Sequence, residues 1–209
     1  MSRVSSLIAL RQNAGESERP FIIWEPAPFS CTADNLQSCL DAACMVDVFS
    51  PNHLELAALF GQSRPVVADI HKIESQALRF LDSGVGPNGK GTVIVRAGEH
   101  GCFIIARDIS PIWLPPFYRY GPGDKPDAKV VDPTGAGNTF LGAFAAGYLQ
   151  TGNIVEAACY GSVGASFALE QVGMPERSND GEEELWNGTN VFSRLHEYRK
   201  TIGLPDIHR

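Results

Sequence analysis

Residues 132–138, with the sequence DPTGAGN, have the types and spacing of a phosphate-binding turn. They follow a valine pair and precede a run rich in Ala and Gly, a pattern typical of a strand end, a tight turn and a helix. There Gly135, Ala136 and Gly137 would present backbone N–H groups and the positive end of a helix dipole to an anion. Gly-Ala-Gly alone is more often a close-packed connection, but the whole run with its leading Asp132, Pro133 and Thr134 is a far more specific pattern.

Asn52 and Glu55 form a second candidate site, after an apolar stretch at 46–49. Their spacing of three places both side chains on one face of the first turns of a helix. Oxygen ligands that act partly through water suit Mg²⁺, which gives up its hydration reluctantly. The alternative is a helix end at which Asn52 is a terminal polar residue and Glu55 complements the dipole. For the pair in isolation, this alternative is favoured.

Arg96 ends a third apolar run, at 92–96, and Gly98 and Gly101 follow it. An arginine beside a polyphosphate is chemically sensible, because its guanidinium matches phosphate geometry. An ordinary β-turn between two strands needs the same glycines, so both interpretations stay open.

In this order and spacing, the motifs resemble those of the pfkB, or ribokinase-like, family of carbohydrate kinases. Four segments carry the resemblance: WEPAP at 24–28, SPNHLEL at 50–56, VIVRAGEHG at 93–101 and the run at 132–147. They are similar to the family's Asn-Pro-Ala-Pro strand end, its Asn-x-x-Glu motif, its Thr-x-Gly-x-x-Gly turn and its second signature. The similarity extends over about residues 21–173 and only to the C-terminal part of the family fold, which leaves out the lid and the N-terminal sugar-binding part.

The resemblance implies a role for each candidate residue. The anion hole for the transferred phosphoryl group would be formed by Gly135, Ala136 and Gly137. The ATP-binding residues would be Asn52, Arg96, Gly98, Gly101, Gly137 and Ser162, the last beside the base. The cation contacts would be Glu55 with Mg²⁺ through water, and Asp132 and Thr134 with a monovalent cation such as K⁺.

Asn138 stands at the position of the family's catalytic Asp. An amide can hold a sugar hydroxyl but cannot accept its proton, and loss of a general base costs about 10²–10⁴ in rate. Phosphoryl transfer depends largely on positioning and electrostatics, so activity can survive such a loss. Two functions therefore stay open: ATP-dependent phosphoryl transfer to a sugar or nucleoside-like hydroxyl, or nucleotide binding in a non-catalytic regulatory or scaffold protein.

Helix and strand patterns alternate along the chain, which predicts an α/β, three-layer fold with a mostly parallel sheet between helices. We expect one domain over residues 1–209, incomplete at its N-terminal side, and self-association through exposed sheet surface if the chain begins at Met1. Strands are predicted at 21–24, 46–49, 92–96, 102–106 and 112–114. Helices are predicted at 5–12, 32–43, 51–60, 70–81, 138–149, 154–171 and 191–199. Residues 173–188 are predicted to form a polar loop.

Composition limits the classes of partner. A net charge of −7 without a clustered basic face argues against nucleic-acid binding. No apolar run approaches the roughly 18 residues of a membrane span, so no membrane association is expected. The five cysteines show no metal-ligand spacing and favour a reducing compartment, the cytoplasm or nucleus.

Overall fold

The computed structural model describes residues 2–15, 19–63, 68–119, 121 and 125–204, and helices and strands alternate along them. The helices are α1 (Ser2–Asn13), α2 (Leu36–Ala43), α3 (His53–Leu59), α4 (Ile70–Ser83), α5 (Ala136–Thr151), α6 (Ile154–Leu169) and α7 (Val191–Thr201). The strands are β1 (Ile23–Trp24), β2 (Val48–Phe49), β3 (Thr92–Arg96), β4 (Cys102–Ala106), β5 (Ile109–Leu114), β6 (Arg177–Asp180) and β7 (Glu183–Trp186).

Five strands form one sheet in the order β1-β2-β3-β4-β5. The pairs β1/β2 and β2/β3 are parallel, with Ile23 opposite Val48 and Val48 opposite Thr92. Only two residues join β4 to β5, too few for a parallel crossover, so the sheet is mixed. Every residue of β3 and β4 is buried, as expected for continuous apolar runs inside an α/β protein. The predicted α/β class is confirmed.

The chain divides into two compact units. The first comprises Met1–Ala97 and Phe103–Ile112, and the second comprises Gly98–Cys102 and Trp113–Arg209. The first unit contains β1, β2, β3 and α1 to α4, whereas the second contains α5, α6, α7 and the β6/β7 pair. The prediction of one domain over residues 1–209 stays a prediction.

Aromatic packing fills the core of the first unit. The rings of Phe49 and Phe80 stack with centroids 4.3 Å apart. Helix α4 buries Ile73, Ala77 and Phe80, a spacing of four and three that lies on one helical face. These contacts hold α4 in the core beside β2, the strand that leads towards Asn52.

Small residues bring α5 and α6 together in the second unit. A Cβ atom built on Gly161 would lie 2.8 Å from the Phe140 ring, and one on Gly164 would lie 2.5 Å from the Ala143 methyl. Both distances are too short for real carbon atoms, so these two positions admit only glycine. Close packing is therefore one function of the small residues in these helices.

Residues 173–188 were predicted as a loop, and this prediction is wrong. Strands β6 and β7 form an antiparallel pair there, with Arg177 opposite Trp186. All four residues of β6 are exposed, so the strand buries no apolar face. Without a buried face the segment lacks the alternation of apolar and polar residues by which strands are recognised.

The strand end predicted before the 132–138 turn is also absent from the described residues at that position. Val130 and Val131 are irregular backbone, and their N–H groups donate to Asp127 O at 2.9 Å and to Leu169 O at 2.7 Å. The partner of Val131 is thus the carboxyl end of α6 rather than a neighbouring strand.

Smaller differences concern element ends. The helix predicted at 32–43 begins as a 3₁₀ turn, Ala33–Asn35, before α2, and the Thr32 side chain does not cap it. Strand β5 begins at Ile109, three residues before the predicted strand at 112–114.

Four of the five cysteines, Cys31, Cys39, Cys102 and Cys159, are buried, and all five are free thiols. Among the described helices, none combines the length and apolarity that crossing a membrane requires. The compartment and the self-association stay predictions.

Candidate functional site

Asp132 shapes the start of the 132–138 turn. Its Oδ1 accepts the Thr134 N–H at 2.9 Å, which closes a small side-chain-to-backbone ring. This backbone hydrogen bond and one from the Thr134 side chain lower the pKa of Asp132 below its usual value. The carboxyl group is therefore ionised in neutral solution and holds the Thr134 amide in place.

Gly135 makes the turn into α5. Its φ of +84° lies in the left-handed region that favours glycine, and nothing lies within 4 Å of a Cβ built there. The position therefore requires glycine for its backbone conformation and not for space. Gly135 is exposed, as a group that meets a ligand must be.

The amides that follow Gly135 are those of a helix N-terminus. The N–H of Ala136 donates to Pro133 O at 3.2 Å, and the first bond to a carbonyl four residues back runs from Thr139 N to Gly135 O at 2.9 Å. The amides of Gly137 and Asn138 precede that bond and belong to the turn's orphan donors. Together with the dipole of a 16-residue helix, they make the turn suited to a phosphate group.

The turn is attached to the carboxyl end of α6. Leu169 O accepts the N–H of Val131 at 2.7 Å and that of Asp132 at 3.2 Å. Carboxylate, hydroxyl and carbonyl oxygens are suitable donors for a hard monovalent cation. The K⁺ contacts of Asp132 and Thr134 stay a prediction. The oxygen atoms at this position are compatible with it.

In the first unit, Asn52 and Glu55 cap α3 with a reciprocal pair of hydrogen bonds. Asn52 Oδ1 accepts the N–H groups of Leu54 and Glu55 at 2.9 and 2.8 Å, and Glu55 Oε2 accepts the Asn52 N–H at 2.7 Å. This is the capping box, which satisfies donors at a helix N-terminus. The helix-end interpretation of these residues is thus realised.

Arg96 lies beside this cap and is buried. Its Nη2 is 2.5 Å from Glu25 Oε1, 3.1 Å from Ser50 O and 3.7 Å from Glu55 Oε2. The side chain is 10% exposed, and its Nε has no hydrogen-bond partner among the described residues. To reach a phosphate group, Arg96 would have to leave an ion pair with Glu25.

Glu25 was not recognised from the sequence, although a signal was present. Glu25 stands where the ribokinase-like motif has Asn, and Arg96 stands where it has Thr. Two departures of opposite charge, 71 residues apart in sequence, indicate an ion pair. We name Glu25, Glu55 and Arg96, with the capping Asn52, the β3 cluster.

The β3 cluster does not fit direct coordination of Mg²⁺. Asn52 Oδ1 and Glu55 Oε2 already accept backbone N–H groups, and the Arg96 guanidinium is within 3.7 Å of the carboxylate. Burial raises the pKa of Glu55, against the lowering effects of the Asn52 N–H and Arg96. Among the described residues, no group of three or more His, Cys, Asp and Glu could hold a metal ion. A contact of Glu55 with Mg²⁺ through water stays a prediction.

The remaining predicted residues lie in the second unit. Gly98 is the first residue of a short 3₁₀ turn and Gly101 follows that turn, with φ of +56° and +83°, and a Cβ on Gly101 would collide with the backbone of Leu114. The turn interpretation of these glycines is therefore realised. Ser162 is buried on α6 and hydrogen-bonded with Cys102 and Tyr198. The contacts of these three residues with a nucleotide stay predictions.

Asn138 lies on the first turn of α5 and is exposed. Its amide is neutral at all accessible pH values, so it can donate to and accept from a hydroxyl group without removing its proton.

Known proteins resemble this chain in sequence. A family profile described as "pfkB family carbohydrate kinase" matches residues 4–179. The chain is 36% identical over 192 residues to the Schizosaccharomyces pombe protein C16C9.01c, covering 86% of this chain and 52% of that protein. It is 31% identical over 201 residues to protein MAK32 of Saccharomyces cerevisiae, covering 93% and 53%.

The fold has solved counterparts. A structure of Arabidopsis thaliana ribokinase complexed with ribose and ATP matches with a TM-score of 0.52 and 26% identity, covering 65% of this chain and 38% of that one. The chain spans about half the length of the two yeast proteins. The profile match over most of the chain, the ordered motifs and the α/β fold lead to one conclusion: the chain belongs to the pfkB family of carbohydrate kinases.

Proposed function

We propose that this chain carries the phosphate-binding side of an ATP-dependent kinase that phosphorylates a hydroxyl group of a sugar or nucleoside-like alcohol. The observation that supports this most is the 132–138 turn, where Asp132 orders Thr134 and Gly135 opens α5 with unpaired amides. Family membership and the ATP named in the ribokinase structure make ATP the phosphoryl donor of choice.

In the proposed reaction the γ-phosphoryl group lies at the N-terminus of α5. The acceptor oxygen attacks the γ-phosphorus, the bond from that phosphorus to the β–γ bridging oxygen breaks, and ADP leaves. Negative charge on the transferred group is stabilised by the amides of Gly137 and Asn138 and by the helix dipole. These groups are positioned before the reaction, so they need no rearrangement during it.

Asn138 would hold the acceptor hydroxyl without acting as base. The hydroxyl proton then passes to solvent, because an amide cannot take it. A reaction that relies on positioning alone stays possible for phosphoryl transfer but is slower than one with a base.

The proposed ligands are ATP, supplied as its Mg²⁺ complex, a small sugar, and K⁺ at Asp132 and Thr134. No step is assigned to Mg²⁺, since the β3 cluster does not fit its direct coordination. A cytoplasmic location and self-association complete the proposal.

The test compares wild type with Asn138→Asp for ATP binding and for ADP release with a panel of sugars. We expect slow turnover by wild type and a gain of about 10²-fold in the variant, since Asp can act as base. The control is Asn153→Asp, which makes the same change at the N-cap of α6, where Asp caps equally well. Its turnover should equal that of wild type.

Two outcomes contradict the proposal. If neither protein binds ATP, the nucleotide site is wrong. If both bind ATP but neither releases ADP with any sugar, the chain is a non-catalytic nucleotide-binding protein.

A further inference from the structure

We infer that Asn187 is a positioning residue for the phosphate-binding turn, because it fixes the end of α6 from which that turn is held. Asn187 acts with Arg194, and both converge on Glu170, the residue that follows α6. We name Glu170, Asn187 and Arg194 the α6 lock. Asn187 and Arg194 lie beyond residue 179, where the family profile ends.

The Asn187 amide group gathers three acceptors at the end of α6. Its Nδ2 lies 3.1 Å from Phe167 O, 2.6 Å from Glu170 Oε2 and 2.7 Å from Gln171 Oε1. Two of these acceptors are side chains beyond the last helical residue, and one is a carbonyl of the last turn. A single side chain thus ties the last turn of α6 to the segment that follows.

The backbone of Asn187 supports this geometry. Its φ is +47°, a left-handed conformation that Asn tolerates better than most residues. Its N–H donates to Glu176 O at 2.8 Å, while its Oδ1 accepts the Glu176 N–H at 2.9 Å. Both ends of the side chain are therefore used, and its direction is fixed.

Arg194 closes the lock from α7. Its Nη1 is 2.9 Å from Glu170 Oε1 and 3.1 Å from Ser166 Oγ, and its guanidinium lies 3.7 Å from the centre of the Phe167 ring. Only 5% of the Arg194 side chain is exposed. Burial favours the neutral form of Glu170, but hydrogen bonds from Tyr118 and Asn187 and the charge of Arg194 outweigh it and lower its pKa.

The lock reaches the turn through one carbonyl group. Leu169 O, between Phe167 and Glu170 in sequence, accepts the N–H groups of Val131 and Asp132 at 2.7 and 3.2 Å. Asp132 in turn holds the Thr134 amide at 2.9 Å. Any movement of the α6 end therefore moves the carboxylate that shapes the turn.

The contribution of Asn187 to the turn can be separated from its contribution to folding. Helix α7 has a second attachment to α6, the ion pair of Arg199 with Glu156 at the opposite end. Loss of the Asn187 side chain leaves that pair and the Arg194 contacts in place. The inference rests on the proposed function only where the turn is said to bind nucleotide.

The first experiment measures amide hydrogen exchange of Val131, Asp132 and Thr134 without nucleotide in wild type and Asn187→Gly. Glycine adopts positive φ readily, so the variant removes the side-chain bonds and adds no backbone strain. We expect exchange to accelerate about tenfold, which corresponds to the loss of about one hydrogen bond's net stabilisation. The control is Asn153→Gly, which removes a side chain that accepts two amides at the other end of α6.

Unchanged exchange in Asn187→Gly, or equal acceleration in Asn153→Gly, overturns the inference. If Asn187→Gly does not fold, Asn187→Asp replaces it, because Asp tolerates positive φ but lacks the donor and places a carboxylate beside Glu170. The same exchange result is expected of it.

The second experiment measures ATP binding by calorimetry with the same proteins. We expect a Kd about three- to tenfold higher for Asn187→Gly and an unchanged Kd for Asn153→Gly, even if both lower Tm equally. An unchanged Kd in Asn187→Gly contradicts the positioning role. Wild type that does not bind ATP contradicts the proposed function instead, and the exchange experiment then decides the positioning claim by itself.

Discussion

Results

Sequence analysis

Residues 132–138, with the sequence DPTGAGN, have the types and spacing of a phosphate-binding turn. They follow a valine pair and precede a run rich in Ala and Gly, a pattern typical of a strand end, a tight turn and a helix. There Gly135, Ala136 and Gly137 would present backbone N–H groups and the positive end of a helix dipole to an anion. Gly-Ala-Gly alone is more often a close-packed connection, but the whole run with its leading Asp132, Pro133 and Thr134 is a far more specific pattern.

Asn52 and Glu55 form a second candidate site, after an apolar stretch at 46–49. Their spacing of three places both side chains on one face of the first turns of a helix. Oxygen ligands that act partly through water suit Mg²⁺, which gives up its hydration reluctantly. The alternative is a helix end at which Asn52 is a terminal polar residue and Glu55 complements the dipole. For the pair in isolation, this alternative is favoured.

Arg96 ends a third apolar run, at 92–96, and Gly98 and Gly101 follow it. An arginine beside a polyphosphate is chemically sensible, because its guanidinium matches phosphate geometry. An ordinary β-turn between two strands needs the same glycines, so both interpretations stay open.

In this order and spacing, the motifs resemble those of the pfkB, or ribokinase-like, family of carbohydrate kinases. Four segments carry the resemblance: WEPAP at 24–28, SPNHLEL at 50–56, VIVRAGEHG at 93–101 and the run at 132–147. They are similar to the family's Asn-Pro-Ala-Pro strand end, its Asn-x-x-Glu motif, its Thr-x-Gly-x-x-Gly turn and its second signature. The similarity extends over about residues 21–173 and only to the C-terminal part of the family fold, which leaves out the lid and the N-terminal sugar-binding part.

The resemblance implies a role for each candidate residue. The anion hole for the transferred phosphoryl group would be formed by Gly135, Ala136 and Gly137. The ATP-binding residues would be Asn52, Arg96, Gly98, Gly101, Gly137 and Ser162, the last beside the base. The cation contacts would be Glu55 with Mg²⁺ through water, and Asp132 and Thr134 with a monovalent cation such as K⁺.

Asn138 stands at the position of the family's catalytic Asp. An amide can hold a sugar hydroxyl but cannot accept its proton, and loss of a general base costs about 10²–10⁴ in rate. Phosphoryl transfer depends largely on positioning and electrostatics, so residual activity is compatible with such a loss. Two functions therefore stay open: ATP-dependent phosphoryl transfer to a sugar or nucleoside-like hydroxyl, or nucleotide binding in a non-catalytic regulatory or scaffold protein.

Helix and strand patterns alternate along the chain, which predicts an α/β, three-layer fold with a mostly parallel sheet between helices. We expect one domain over residues 1–209, incomplete at its N-terminal side, and self-association through exposed sheet surface if the chain begins at Met1. Strands are predicted at 21–24, 46–49, 92–96, 102–106 and 112–114. Helices are predicted at 5–12, 32–43, 51–60, 70–81, 138–149, 154–171 and 191–199. Residues 173–188 are predicted to form a polar loop.

Composition limits the classes of partner. A net charge of −7 without a clustered basic face argues against nucleic-acid binding. No apolar run approaches the roughly 18 residues of a membrane span, so no membrane association is expected. The five cysteines show no metal-ligand spacing and favour a reducing compartment, the cytoplasm or nucleus.

Overall fold

The computed structural model describes residues 2–15, 19–63, 68–119, 121 and 125–204, and helices and strands alternate along them. The helices are α1 (Ser2–Asn13), α2 (Leu36–Ala43), α3 (His53–Leu59), α4 (Ile70–Ser83), α5 (Ala136–Thr151), α6 (Ile154–Leu169) and α7 (Val191–Thr201). The strands are β1 (Ile23–Trp24), β2 (Val48–Phe49), β3 (Thr92–Arg96), β4 (Cys102–Ala106), β5 (Ile109–Leu114), β6 (Arg177–Asp180) and β7 (Glu183–Trp186).

Five strands form one sheet in the order β1-β2-β3-β4-β5. The pairs β1/β2 and β2/β3 are parallel, with Ile23 opposite Val48 and Val48 opposite Thr92. Only two residues join β4 to β5, too few for a parallel crossover, so the sheet is mixed. Every residue of β3 and β4 is buried, as expected for continuous apolar runs inside an α/β protein. The predicted α/β class is confirmed.

The chain divides into two compact units. The first comprises Met1–Ala97 and Phe103–Ile112, and the second comprises Gly98–Cys102 and Trp113–Arg209. The first unit contains β1, β2, β3 and α1 to α4, whereas the second contains α5, α6, α7 and the β6/β7 pair. The prediction of one domain over residues 1–209 stays a prediction.

Aromatic packing fills the core of the first unit. The rings of Phe49 and Phe80 stack with centroids 4.3 Å apart. Helix α4 buries Ile73, Ala77 and Phe80, a spacing of four and three that lies on one helical face. These contacts hold α4 against the end of β2, the strand after which Asn52 begins the α3 cap.

Small residues bring α5 and α6 together in the second unit. A Cβ atom built on Gly161 would lie 2.8 Å from the Phe140 ring, and one on Gly164 would lie 2.5 Å from the Ala143 methyl. Both distances are too short for real carbon atoms, so a larger residue at either position would force the helices apart. Close packing is therefore one function of the small residues in these helices.

The sequence predicts a loop at 173–188, and this prediction is wrong. Strands β6 and β7 form an antiparallel pair there, with Arg177 opposite Trp186. All four residues of β6 are exposed, so the strand buries no apolar face. Without a buried face the segment lacks the alternation of apolar and polar residues by which strands are recognised.

The strand end predicted before the 132–138 turn is also wrong. Val130 and Val131 are irregular backbone, and their N–H groups donate to Asp127 O at 2.9 Å and to Leu169 O at 2.7 Å. The partner of Val131 is thus the carboxyl end of α6 rather than a neighbouring strand.

Smaller differences concern element ends. The helix predicted at 32–43 begins as a 3₁₀ turn, Ala33–Asn35, before α2, and the Thr32 side chain does not cap it. Strand β5 begins at Ile109 rather than at residue 112.

Four of the five cysteines, Cys31, Cys39, Cys102 and Cys159, are buried, and all five are free thiols. Among the described helices, none combines the length and apolarity that crossing a membrane requires. The compartment and the self-association stay predictions.

Candidate functional site

Asp132 shapes the start of the 132–138 turn. Its Oδ1 accepts the Thr134 N–H at 2.9 Å, which closes a small side-chain-to-backbone ring. This backbone hydrogen bond, with one from the Thr134 side chain, lowers the pKa of Asp132 below its usual value. The carboxyl group is therefore ionised in neutral solution and holds the Thr134 amide in place.

Gly135 makes the turn into α5. Its φ of +84° lies in the left-handed region that favours glycine, and nothing lies within 4 Å of a Cβ built there. The position therefore requires glycine for its backbone conformation and not for space. Gly135 is exposed, as a group that meets a ligand must be.

The amides that follow Gly135 are those of a helix N-terminus. The N–H of Ala136 donates to Pro133 O at 3.2 Å, and the Thr139 N–H donates to Gly135 O at 2.9 Å, four residues back. The amides of Gly137 and Asn138 precede that bond, among the N–H groups for which a helix has no internal partner. Together with the dipole of a 16-residue helix, they suit a phosphate group.

The turn is attached to the carboxyl end of α6. Leu169 O accepts the N–H of Val131 at 2.7 Å and that of Asp132 at 3.2 Å. Carboxylate, hydroxyl and carbonyl oxygens are suitable donors for a hard cation. The K⁺ contacts of Asp132 and Thr134 stay a prediction. The oxygen atoms at this position are compatible with it.

In the first unit, Asn52 and Glu55 cap α3 with reciprocal hydrogen bonds. Asn52 Oδ1 accepts the N–H groups of Leu54 and Glu55 at 2.9 and 2.8 Å, and Glu55 Oε2 accepts the Asn52 N–H at 2.7 Å. This is the capping box, which satisfies donors at a helix N-terminus. The helix-end interpretation of these residues is thus realised.

Arg96 lies beside this cap and is buried. Its Nη2 is 2.5 Å from Glu25 Oε1, 3.1 Å from Ser50 O and 3.7 Å from Glu55 Oε2. The side chain is 10% exposed, and its Nε has no hydrogen-bond partner among the described residues. To reach a phosphate group, Arg96 would have to leave an ion pair with Glu25.

Sequence reasoning misses Glu25, although a signal is present. Glu25 stands where the ribokinase-like motif has Asn, and Arg96 stands where it has Thr. Two departures of opposite charge, 71 residues apart in sequence, are what an ion pair would produce. We name Glu25, Asn52, Glu55 and Arg96 the β3 cluster.

The β3 cluster does not fit direct coordination of Mg²⁺. Asn52 Oδ1 and Glu55 Oε2 already accept backbone N–H groups, and the Arg96 guanidinium lies 3.7 Å from the carboxylate. Burial raises the pKa of Glu55, against the lowering effects of the Asn52 N–H and Arg96. Within the described ranges, no group of three or more His, Cys, Asp and Glu could hold a metal ion. A contact of Glu55 with Mg²⁺ through water stays a prediction.

The remaining predicted nucleotide contacts lie in the second unit. Gly98 is the first residue of a short 3₁₀ turn and Gly101 follows that turn, with φ of +56° and +83°, so the turn interpretation of both glycines is realised. Ser162 is buried on α6 and hydrogen-bonded with Cys102 and Tyr198. The contacts of Gly98, Gly101 and Ser162 with a nucleotide stay predictions.

Asn138 lies on the first turn of α5 and is exposed. Its side-chain amide can donate to a hydroxyl group and accept from it, but it does not remove a proton. Asn138 is thus accessible to solvent and lacks the properties of a base.

Known proteins resemble this chain in sequence. A family profile described as "pfkB family carbohydrate kinase" matches residues 4–179. The chain is 36% identical over 192 residues to an uncharacterized protein of Schizosaccharomyces pombe, covering 86% of this chain and 52% of that protein. It is 31% identical over 201 residues to protein MAK32 of Saccharomyces cerevisiae, covering 93% and 53%. The chain thus spans about half the length of these two relatives.

The fold has solved counterparts. A structure of Arabidopsis thaliana ribokinase complexed with ribose and ATP matches with a TM-score of 0.52 and 26% identity, covering 65% of this chain and 38% of that one. The profile match, the ordered motifs and the α/β fold lead to the same conclusion: the chain belongs to the pfkB family of carbohydrate kinases.

Proposed function

We propose that this chain carries the phosphate-binding side of an ATP-dependent kinase that phosphorylates a hydroxyl group of a sugar or nucleoside-like alcohol. The observation that supports this most is the 132–138 turn, where Asp132 orders Thr134 and Gly135 opens α5 towards solvent. Family membership, and the ATP named in the ribokinase structure, favour ATP as the phosphoryl donor.

In the proposed reaction the γ-phosphoryl group lies at the N-terminus of α5. The acceptor oxygen attacks the γ-phosphorus, the bond from that phosphorus to the β–γ bridging oxygen breaks, and ADP leaves. Negative charge on the transferred group is stabilised by the amides of Gly137 and Asn138 and by the helix dipole. The helix holds these groups in place before the reaction, so they need no rearrangement during it.

Asn138 would hold the acceptor hydroxyl without acting as base. The hydroxyl proton then passes to solvent, because an amide cannot take it. Phosphoryl transfer that relies on positioning alone is slower than transfer assisted by a base, so we expect low turnover.

The proposed ligands are ATP, supplied as its Mg²⁺ complex, a small sugar, and K⁺ at Asp132 and Thr134. No step is assigned to Mg²⁺, since the β3 cluster does not fit its direct coordination. We also propose a cytoplasmic location and self-association for this chain.

The test compares wild type with Asn138→Asp for ATP binding and for ADP release with a panel of sugars. We expect slow turnover by wild type and a gain of about 10²-fold in the variant, since Asp can act as base. The control is Asn153→Asp, which makes the same change at the N-cap of α6, where Asp caps equally well. Its turnover should equal that of wild type.

Two outcomes contradict the proposal. If neither wild type nor Asn138→Asp binds ATP, the nucleotide site is wrong. If both bind ATP but neither releases ADP with any sugar, the chain is a non-catalytic nucleotide-binding protein.

A further inference from the structure

We infer that Asn187 is a positioning residue for the phosphate-binding turn, because it fixes the end of α6 from which that turn is held. Asn187 acts with Arg194, and both converge on Glu170, the residue that follows α6. We name Glu170, Asn187 and Arg194 the α6 lock. Asn187 and Arg194 lie beyond residue 179, where the family profile ends.

The Asn187 side chain lies within hydrogen-bond distance of three acceptors at the end of α6. Its Nδ2 lies 3.1 Å from Phe167 O, 2.6 Å from Glu170 Oε2 and 2.7 Å from Gln171 Oε1. Two of these acceptors are side chains beyond the last helical residue, and one is a carbonyl of the last turn. A single side chain thus ties the last turn of α6 to the segment that follows.

The backbone of Asn187 supports this geometry. Its φ is +47°, a left-handed conformation that Asn tolerates better than most residues. Its N–H donates to Glu176 O at 2.8 Å, while its Oδ1 accepts the Glu176 N–H at 2.9 Å. Both ends of the side-chain amide are therefore used, and its direction is fixed.

Arg194 closes the lock from α7. Its Nη1 is 2.9 Å from Glu170 Oε1 and 3.1 Å from Ser166 Oγ, and its guanidinium lies 3.7 Å from the centre of the Phe167 ring. Only 5% of the Arg194 side chain is exposed. Burial acts to raise the pKa of Glu170, but hydrogen bonds from Tyr118 and Asn187 and the charge of Arg194 outweigh it and lower that pKa.

The lock reaches the turn through one carbonyl group. Leu169 O, directly before Glu170 in sequence, accepts the N–H groups of Val131 and Asp132 at 2.7 and 3.2 Å. Asp132 in turn holds the Thr134 amide at 2.9 Å. Any movement of the α6 end therefore moves the carboxylate that shapes the turn.

The contribution of Asn187 to the turn can be separated from its contribution to folding. Helix α7 has a second attachment to α6, the ion pair of Arg199 with Glu156 at the opposite end. Removal of the Asn187 side chain touches neither that pair nor the direct contacts of Arg194. The inference rests on the proposed function only where the turn is said to bind nucleotide.

The first experiment measures amide hydrogen exchange of Val131, Asp132 and Thr134 without nucleotide in wild type and Asn187→Gly. Glycine adopts positive φ readily, so the variant removes the side-chain bonds and adds no backbone strain. We expect exchange to accelerate about tenfold, as the loss of one hydrogen bond's net stabilisation would produce. The control is Asn153→Gly, which removes a side chain that accepts two amides at the other end of α6.

Unchanged exchange in Asn187→Gly, or equal acceleration in Asn153→Gly, overturns the inference. If Asn187→Gly does not fold, Asn187→Asp replaces it, because Asp tolerates positive φ but lacks the donor and places a carboxylate beside Glu170. We expect the same acceleration of exchange in Asn187→Asp. Unchanged exchange in that variant would also overturn the inference.

The second experiment measures ATP binding by calorimetry with the same proteins. We expect a Kd about three- to tenfold higher for Asn187→Gly and an unchanged Kd for Asn153→Gly, even if both lower Tm equally. An unchanged Kd in Asn187→Gly contradicts the positioning role. Wild type that does not bind ATP contradicts the proposed function instead, and the exchange experiment then decides the positioning claim by itself.

Discussion

The β3 cluster and the 132–138 turn each combine a helix N-terminus with polar side chains, but their hydrogen bonds go to different places. In the β3 cluster, Asn52 and Glu55 bond each other's backbone, and Arg96 pairs with Glu25. In the turn, the Asp132 carboxylate accepts the N–H of its near neighbour Thr134, and Gly135 and Asn138 at the start of α5 are exposed. One helix N-terminus is closed by its own side chains, and the other is open.

This difference separates stability from binding. A polar group that already has a partner must lose that partner before it takes a ligand, and the cost is that of the bond it leaves. An open helix N-terminus has no such cost. The comparison therefore favours a stabilising role for the β3 cluster and supports the proposal that the turn binds phosphate.

Arg96→Met should have the largest effect, because it leaves the buried carboxylate of Glu55 and the half-buried carboxylate of Glu25 without their cation. Removing one partner of a buried ion pair costs about 3–5 kcal/mol, and the lower end applies since Glu25 is 31% exposed. The free energy of unfolding, measured in urea, should fall by about 3 kcal/mol.

The control for Arg96→Met is Arg177→Met, which breaks the exposed pair of Arg177 with Glu184. An exposed pair contributes at most about 1 kcal/mol, so this variant should lose far less stability. Equal losses in the two variants would show that the Arg96 ion pair adds no more to stability than an exposed pair does.

The dependence of stability on pH should have opposite signs for Glu55 and Asp132. Burial raises the folded-state pKa of Glu55 above 4.5, so its ionisation destabilises the fold as pH rises through that region. The Thr134 hydrogen bonds lower the folded-state pKa of Asp132 below 3.8, so its contribution is present above 3.8 and is lost as pH falls through the folded-state pKa.

Both contributions are measured as the free energy of unfolding of wild type, Glu55→Gln and Asp132→Asn between pH 3 and pH 7. This range brackets the reference pKa values of about 4 for these carboxyl groups. Relative to Glu55→Gln, wild type should lose stability as pH rises. Relative to Asp132→Asn, wild type should lose stability as pH falls. The same sign for both residues would remove the contrast between the closed and the open helix end.

The apolar elements of the fold could be predicted from the sequence. The strands predicted at 92–96 and 102–106 have the bounds of β3 and β4, because a fully buried strand is a continuous apolar run. Helix α6 begins at the predicted residue, Ile154, since Asn153 before it is a favourable N-cap.

The polar contacts between distant residues could not be predicted in the same way. The pairing of Glu25 with Arg96, and of Glu170 with Asn187 and Arg194, depends on the tertiary fold. Likewise, strand β6 is exposed and buries no face, so the sequence shows no apolar alternation that would predict it. Local pattern thus predicts where the turn lies, whereas the contacts that hold it become visible only in the structure.

The central claim, that the open end of α5 binds the phosphates of ATP, is tested most directly by calorimetry of ATP binding with Gly135→Asp and Gly152→Asp. The two glycines flank α5, have φ of +84° and +63°, and have nothing within 4 Å of a built Cβ, so the substitutions are matched in strain and space. A carboxylate at Gly135 competes with phosphate for the α5 amides and repels it. We predict a Kd at least about tenfold higher for Gly135→Asp and unchanged for Gly152→Asp. Wild-type affinity in Gly135→Asp would contradict the claim.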